Sequence, residues 1–98
     1  MNISIPHELS QPEAMSRIKN LFNKIKEEQK SNIQELTEEW TENGGSFKLR
    51  SMGFEITGNV EVLPFAVEIT AKLPVALTMF QGAIKGMIEK EAKNLLEK

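Results

Sequence analysis

The chain has no cysteine, one histidine and one tryptophan in 98 residues. Without cysteine there is no disulfide, no thiolate nucleophile and no thiolate metal site, and the composition fits a reducing compartment. With His7 as the sole histidine only an all-oxygen metal site is open, and no EF-hand spacing is present, so no metal and no cofactor is expected. Long apolar runs are missing as well. None approaches the ~18 residues of a membrane span, so no transmembrane segment is expected. The opening MNISIPHELS lacks the charged and apolar regions of a signal peptide, and the expected location is the cytoplasm. An excess of basic charge is also absent: 12 basic and 14 acidic residues leave a formal charge of −2. Nucleic-acid binders are more often basic, so no nucleic-acid partner is expected.

What is present is a strong alternation from Phe54 to Leu73, in two runs hinged at Leu63-Pro64. Phe54, Ile56, Val60 and Val62 share one parity of the first run. Phe65, Val67, Ile69, Ala71 and Leu73 do the same in the second. Glu55, Thr57, Asn59, Glu61, Glu68, Thr70 and Lys72 occupy the other parity. Side chains alternate between faces along a strand, so this is a hairpin with one apolar and one wet face. Gly58 interrupts the first run, which marks a bulge or a close backbone approach.

The rest of the chain supplies partners and a cover. Ile3 and Ile5 alternate with polar residues before Pro6, which predicts a short strand near a sheet edge. Ser10 and Glu13 have capping-box spacing, Leu9 and Ala14 hold the staple positions, and Pro12 falls in the first turn of a helix. Ala14, Met15, Ile18, Leu21, Phe22 and Ile25 then recur at helical spacing to about Lys30. The end of this helix has two readings. Ile33, Leu36 and Trp40 continue the heptad phase toward Trp40, whereas Thr37, Trp40 and Thr41 favour a strand from Leu36 to Thr41, the preferred reading. An Asn43-Gly44-Gly45 hairpin loop leads into a strand over Ser46–Ser51, with Phe47 and Leu49 inward. Ser51-Met52-Gly53 is the next turn, with Gly53 supplying a positive φ. Pro74 ends the last strand, and Leu77, Phe80, Ala83, Ile84, Met87, Ile88, Ala92, Leu95 and Leu96 trace a second amphipathic helix. The order β-α-β-β-β-β-α with short loops predicts one two-layer α+β domain over 1–98: an antiparallel meander with two helices on one face.

Little in this pattern carries chemistry. His7 has no nearby nucleophile or second histidine, and its favoured role is structural, with the ring hydrogen-bonded to backbone near the helix cap. The clustered glutamates alternate with lysines, as solvated faces do. Gly44-Gly45 lacks the Lys-Ser/Thr pair of a phosphate loop. No catalytic residue is expected, and the chain is not expected to be an enzyme. Gly82 and Gly86 form a GxxxG in the last helix. Each costs about 0.8 to 1 kcal/mol against alanine there, so a packing partner is expected: the sheet, the first helix or a second subunit. The lysine-rich stripe of the first helix reads as a solvated outer face before it reads as an anion-binding one.

The opening Ile3-Ser-Ile-Pro-His7-Glu-Leu9, with Ala14 following, resembles the polyhydroxyalkanoic acid system proteins, a granule-region family of small bacterial proteins. Trp40, Phe47, Gly53, Gly58, Val60, Val62, Leu73-Pro74, Gly82, Ile84 and Ile88 agree in order. The resemblance implies an accessory or regulatory role near polymer granules, with no catalytic residue to carry over. Two partners are expected on this basis, a polymer granule surface or another protein, and a homodimer through the last helix is a further option. The alternative is a small carrier of hydrophobic ligands, because the element order also resembles a shortened helix-grip (START-like) fold, an analogy of fold alone. For either role the candidate pocket or interaction surface comprises Trp40, Phe47, Phe54, Phe65, Ile69, Phe80 and Ile84. A pocket beneath the last helix distinguishes the two roles.

Overall fold

A computed structural model of the chain describes residues 1–28 and 30–97. Strand β1 (Asn2–Pro6) leads to helix α1 (Gln11–Glu28), then strands β2 (Ile33–Thr41), β3 (Gly44–Ser51), β4 (Phe54–Val62) and β5 (Ala66–Lys72). A short 3-10 helix, Val75–Phe80, precedes the terminal helix α2 (Gln81–Leu96). The five strands form one antiparallel sheet in the order β1-β5-β4-β3-β2. The last four strands make the expected meander, and β1 returns as an edge strand beside β5. Both helices cover one face, so the domain is the two-layer α+β fold that the patterning implies.

Local chemistry accounts for most boundaries. The Glu13 N–H donates to Ser10 Oγ at 3.2 Å, the first half of the capping box. The Glu13 carboxylate instead pairs with Arg17 one turn on, at 3.0 Å. Met52 and Gly53 both have positive φ, +53° and +82°, in the two-residue turn that joins Ser51 to its cross-strand partner Phe54. Such double left-handed turns match strand twist. Gly53 takes this conformation freely, whereas Met52 does so against its Cβ.

Several expectations are corrected in detail. Gly44 and Gly45 lie inside β3, and the β2–β3 loop is Glu42-Asn43 alone. These glycines are in the strand because of what lies against them. A Cβ on Gly44 would meet the Val60 carbonyl oxygen at 2.5 Å, and one on Gly45 would meet the Trp40 ring at 2.7 Å. Gly58 causes no register shift, so of its two readings the close approach is the right one: the Phe47 ring and the Thr70 carbonyl oxygen occupy the place of a side chain. The shift that does occur lies in β2, between Ile33 and Glu35. The extra residue lets Ile33 and Leu36, three apart, both turn toward the helices. That bulge produces the heptad-like spacing, and the strand reading holds. The C-terminal helix begins at Gln81, because the chain from Val75 to Phe80 winds as 3-10 helix first.

The interior has two halves. Beneath the first turns of α1 it is closed: Ile3, Ala14, Ile18, Leu21, Val62, Val67 and Ala92 are at most 2% exposed. The outer face of the sheet carries Lys48, Arg50, Glu55, Glu61, Glu68 and Lys72, all exposed as the alternation implies. Toward the other end of the helices the packing opens, and the apolar residues there face a void.

Candidate functional site

Four elements surround that void. The inner face of the sheet contributes Leu36, Phe47, Leu49, Phe54, Ile56, Ile69 and Ala71. Helix α1 adds Leu21, Phe22 and Ile25, the 3-10 helix adds Leu77 and Phe80, and α2 adds Ile84, Met87 and Ile88. The cavity holds about 650 Å³, within the ~300–1,000 Å³ of ligand pockets. Among the described lining residues the polar side chains are Glu28, Asn32, Ser51 and Glu91, and Met1, whose N-terminal ammonium donates to the Ala71 carbonyl oxygen at 2.9 Å, lines the cavity too.

Its asymmetry follows from how α2 is tied down. The C-terminal half is anchored: Ala92 and Leu96 are buried, and Arg17 Nη1 donates to the Leu95 and Glu97 carbonyl oxygens at 3.1 and 2.6 Å. Lys24 of α1 reaches Glu91 at 2.6 Å and Glu28 at 3.9 Å, which raises the lysine above its ordinary pKa, chiefly through the hydrogen bond to Glu91. The N-terminal half has no buried residue, and neither does the 3-10 helix. Val75 and Met79 are over 80% exposed, and Phe80 and Met87 about half. Of these, Phe80 and Met87 also line the cavity.

At the inner end of the cavity sits an aromatic group. Phe22 of α1 meets Trp40 edge-on at 5.4 Å and Phe47 at 5.1 Å between ring centroids. Both strand rings lie across glycines on the neighbouring strand, Trp40 on Gly45 and Phe47 on Gly58. Trp40 Nε1 donates to Glu38 at 3.1 Å, Glu38 pairs with Lys26, and Lys19 Nζ lies 5.8 Å from the Trp40 ring centroid. The lysines of α1 therefore tie the helix to β2 and α2, a structural use that the charge pattern alone did not separate from a solvated stripe.

Of the seven candidate residues, Phe47, Phe54, Ile69, Phe80 and Ile84 line the cavity. Trp40 stands behind its wall, in contact with Phe22. Phe65 is a correction: it is 79% exposed. Strand β5 starts only at Ala66, and the Leu63 N–H closes a turn onto the Ala66 carbonyl at 2.8 Å, so the alternation does not extend back to Phe65. Leu36, Ile56 and Met87 were missed as lining residues. Ile56 shares parity with Phe54, and Met87 follows Ile84 by three on one helix face, so both signals were available. Gly82 and Gly86 face open space on α2, and neither packs on the sheet or on α1.

His7 lies outside the cavity lining and is 5% exposed. Its Nε2 is 2.9 Å from the Leu63 carbonyl oxygen, and its Nδ1 accepts the Leu9 N–H at 3.1 Å. A carbonyl can only accept and an amide can only donate, which places the proton on Nε2 and leaves neither nitrogen for chemistry. The ring pins the Leu63 turn to the start of α1. His7→Ala should therefore cost about 2–4 kcal/mol in urea unfolding, since it strands two backbone groups worth ~1–3 kcal/mol each.

Among the described residues no cluster of His, Asp or Glu could hold a metal ion, and no helix is long and apolar enough to cross a membrane. No curated protein and no solved structure matches the chain. A family match does, and it runs from residue 1 to residue 96, through both helices and every strand that builds the cavity. The chain belongs to the family of polyhydroxyalkanoic acid system proteins (PHA_gran_rgn).

Proposed function

We propose that the protein is a non-catalytic accessory protein that binds an apolar ligand in the cavity beneath α2. Membership of the family associates the chain with the polyhydroxyalkanoate system, and the family name assigns no activity. The cavity itself carries the reading. Its volume is that of a ligand pocket, its floor is the five-stranded sheet, and its wall is apolar from Phe54 to Met87. Apolar walls around a void lose contacts that a ligand would restore, at about 0.8 kcal/mol for each methylene taken from water. Its described lining is mostly apolar, which favours binding of an apolar ligand.

Titration with Nile red, an uncharged apolar dye, tests this. One dye per chain should bind with a blue-shifted emission. Ala71 is 5% exposed on the cavity floor, and Ala71→Phe should fill the space and weaken dye binding by about tenfold or more, equivalent to ~1.4 kcal/mol. Far-UV circular dichroism checks that the variant folds. Equal binding by the folded variant contradicts the reading.

A second reading has its own observation, the exposed apolar residues of the 3-10 helix and the start of α2. Val75, Met79, Phe80 and Met87 suit docking on a hydrophobic surface such as a polymer granule. In a sedimentation assay with polymer particles, the double change Val75→Asp and Met79→Asp should leave most of the protein in the supernatant. Docking and cavity binding are compatible, because Phe80 and Met87 are both exposed and part of the cavity lining.

A further inference from the structure

The 3-10 helix and the first half of α2 are held differently from the residues that follow them. Ile88 and Leu95 pack against the closed core and Ala92 and Leu96 belong to it, whereas no residue from Val75 to Met87 does either. Only Leu77 and Ile84 of that segment are even half-buried. Its polar contacts are local. The Leu77 N–H donates to the Pro74 carbonyl oxygen at 2.9 Å, Thr78 Oγ1 donates to the Val75 carbonyl oxygen at 2.7 Å, and Lys85 pairs with Glu89 at 3.9 Å. Among the described residues none ties a side chain of this segment to the sheet or to α1 by a hydrogen bond or an ion pair. The local sequence offers no compensation. Phe80 at the N-cap of α2 makes no side-chain cap, and the first turn has no acidic residue. Gly82 and Gly86 stand two residues either side of Ile84, on the helix face opposite the cavity, where a Cβ would meet nothing. Packing therefore requires glycine at neither position. Relative to alanine, each glycine favours the unwound chain by up to about fivefold, or roughly twentyfold together.

We propose that Val75 to Met87 is a lid on the cavity, which unwinds at Gly82 and Gly86 to pass an apolar ligand while α2 from Ile88 onward stays in place. The proposal rests on the cavity being a ligand site and assigns its gate. Leu77, Phe80, Ile84 and Met87 line the cavity, so a ligand passing between α2 and the sheet displaces them. Opening costs little, because the segment buries little apolar surface and no ion pair to another element has to break. Arg17 on the Leu95 and Glu97 carbonyls and Lys24 on Glu91 hold the rest of the helix, which confines the motion to its first half. Pro74, its φ fixed near −59° by the ring, bounds the segment at the other end.

The double change Gly82→Ala and Gly86→Ala tests the lid, because both methyl groups enter open space and act through helix propensity alone. In the free wild-type chain the amide protons of Ile84, Lys85 and Met87 should exchange at least about tenfold faster than those of Ala92, Lys93 and Leu95, after correction for intrinsic rates. The double variant should slow the first set by about tenfold and leave the second unchanged. In stopped-flow mixing, Nile red should enter and leave the variant severalfold more slowly, both rates falling together with the affinity little changed. A gate has that signature, whereas a change in packing moves the affinity. Uniform exchange along α2 in the wild type, or variant dye rates equal to the wild type's, overturns the lid while leaving the cavity a binding site. A wild-type chain that binds no dye removes the ligand site, and the lid falls with it.

Discussion

Gly58→Val should destabilise the domain by about 3 kcal/mol or more, lowering the melting temperature by over ~10 °C at ~4–8 °C per kcal/mol for a domain of this size. Gly58 is central in β4, paired with Phe47 on one side and Ala71 on the other. The space a side chain would need holds the Phe47 ring and the Thr70 carbonyl oxygen. The ring can rotate away, although doing so breaks its contact with Phe22 and pushes it into the cavity. The carbonyl belongs to the β5 backbone and cannot. Overpacking of a well-ordered interior typically costs ~1–3 kcal/mol, and here the added penalty is a disturbed strand ladder. Combining Gly58→Val with Phe47→Ala should recover only part of the loss, because the backbone contact remains. Full recovery would mean that the ring alone sets the constraint.

Ile18→Ala and Ile84→Ala should differ sharply, although both remove the same atoms from a helix. Ile18 is fully buried in the closed half, where truncation costs about 2–5 kcal/mol through lost burial and a new cavity. Ile84 is half-buried and already borders open volume, so its truncation should cost about 1 kcal/mol or less. The gain in helix propensity from isoleucine to alanine is common to both and drops out of the comparison. Urea unfolding at one pH gives the two values directly. Similar losses would indicate that α2 closes onto the sheet in solution and that the void is filled by its own side chains.

The same two-part interior explains which features the sequence disclosed. Alternation from Phe54 to Val62 and from Val67 to Leu73 announced the central hairpin because each parity meets a single environment. Ser10, Glu13 and Pro12 marked the start of α1 because capping is a local matter. Ile33, Leu36 and Trp40 were ambiguous because one extra residue in β2 imitates helical spacing, and only pairing with β3 distinguishes the two. Phe65 misled for a related reason, since parity says nothing about where a strand stops and its turn begins. Gly58 signalled either a bulge or a close approach, and the Phe47 ring that decides for the approach comes from another strand. The cavity was legible as a list of apolar residues and illegible as a volume. Whether Phe54, Ile56 and Met87 touch or stand apart depends on where α2 is anchored, and Arg17, 78 positions before Leu95, sets that. The glycines at 82 and 86 suggested close packing by their spacing, yet they face outward.

Methyl spectra of protein labelled at isoleucine and methionine, recorded during titration with methyl octanoate, test most directly whether the void beneath α2 is a binding site. The methyl groups of Ile56, Ile69, Ile84 and Met87 line the cavity and should shift with ligand. Those of Ile3, Ile5 and Ile18, packed in the closed half, should stay in place. Shifts confined to the exposed Met79, which does not line the cavity, or no shifts below the concentration at which the ester separates from water, would contradict ligand binding inside the domain.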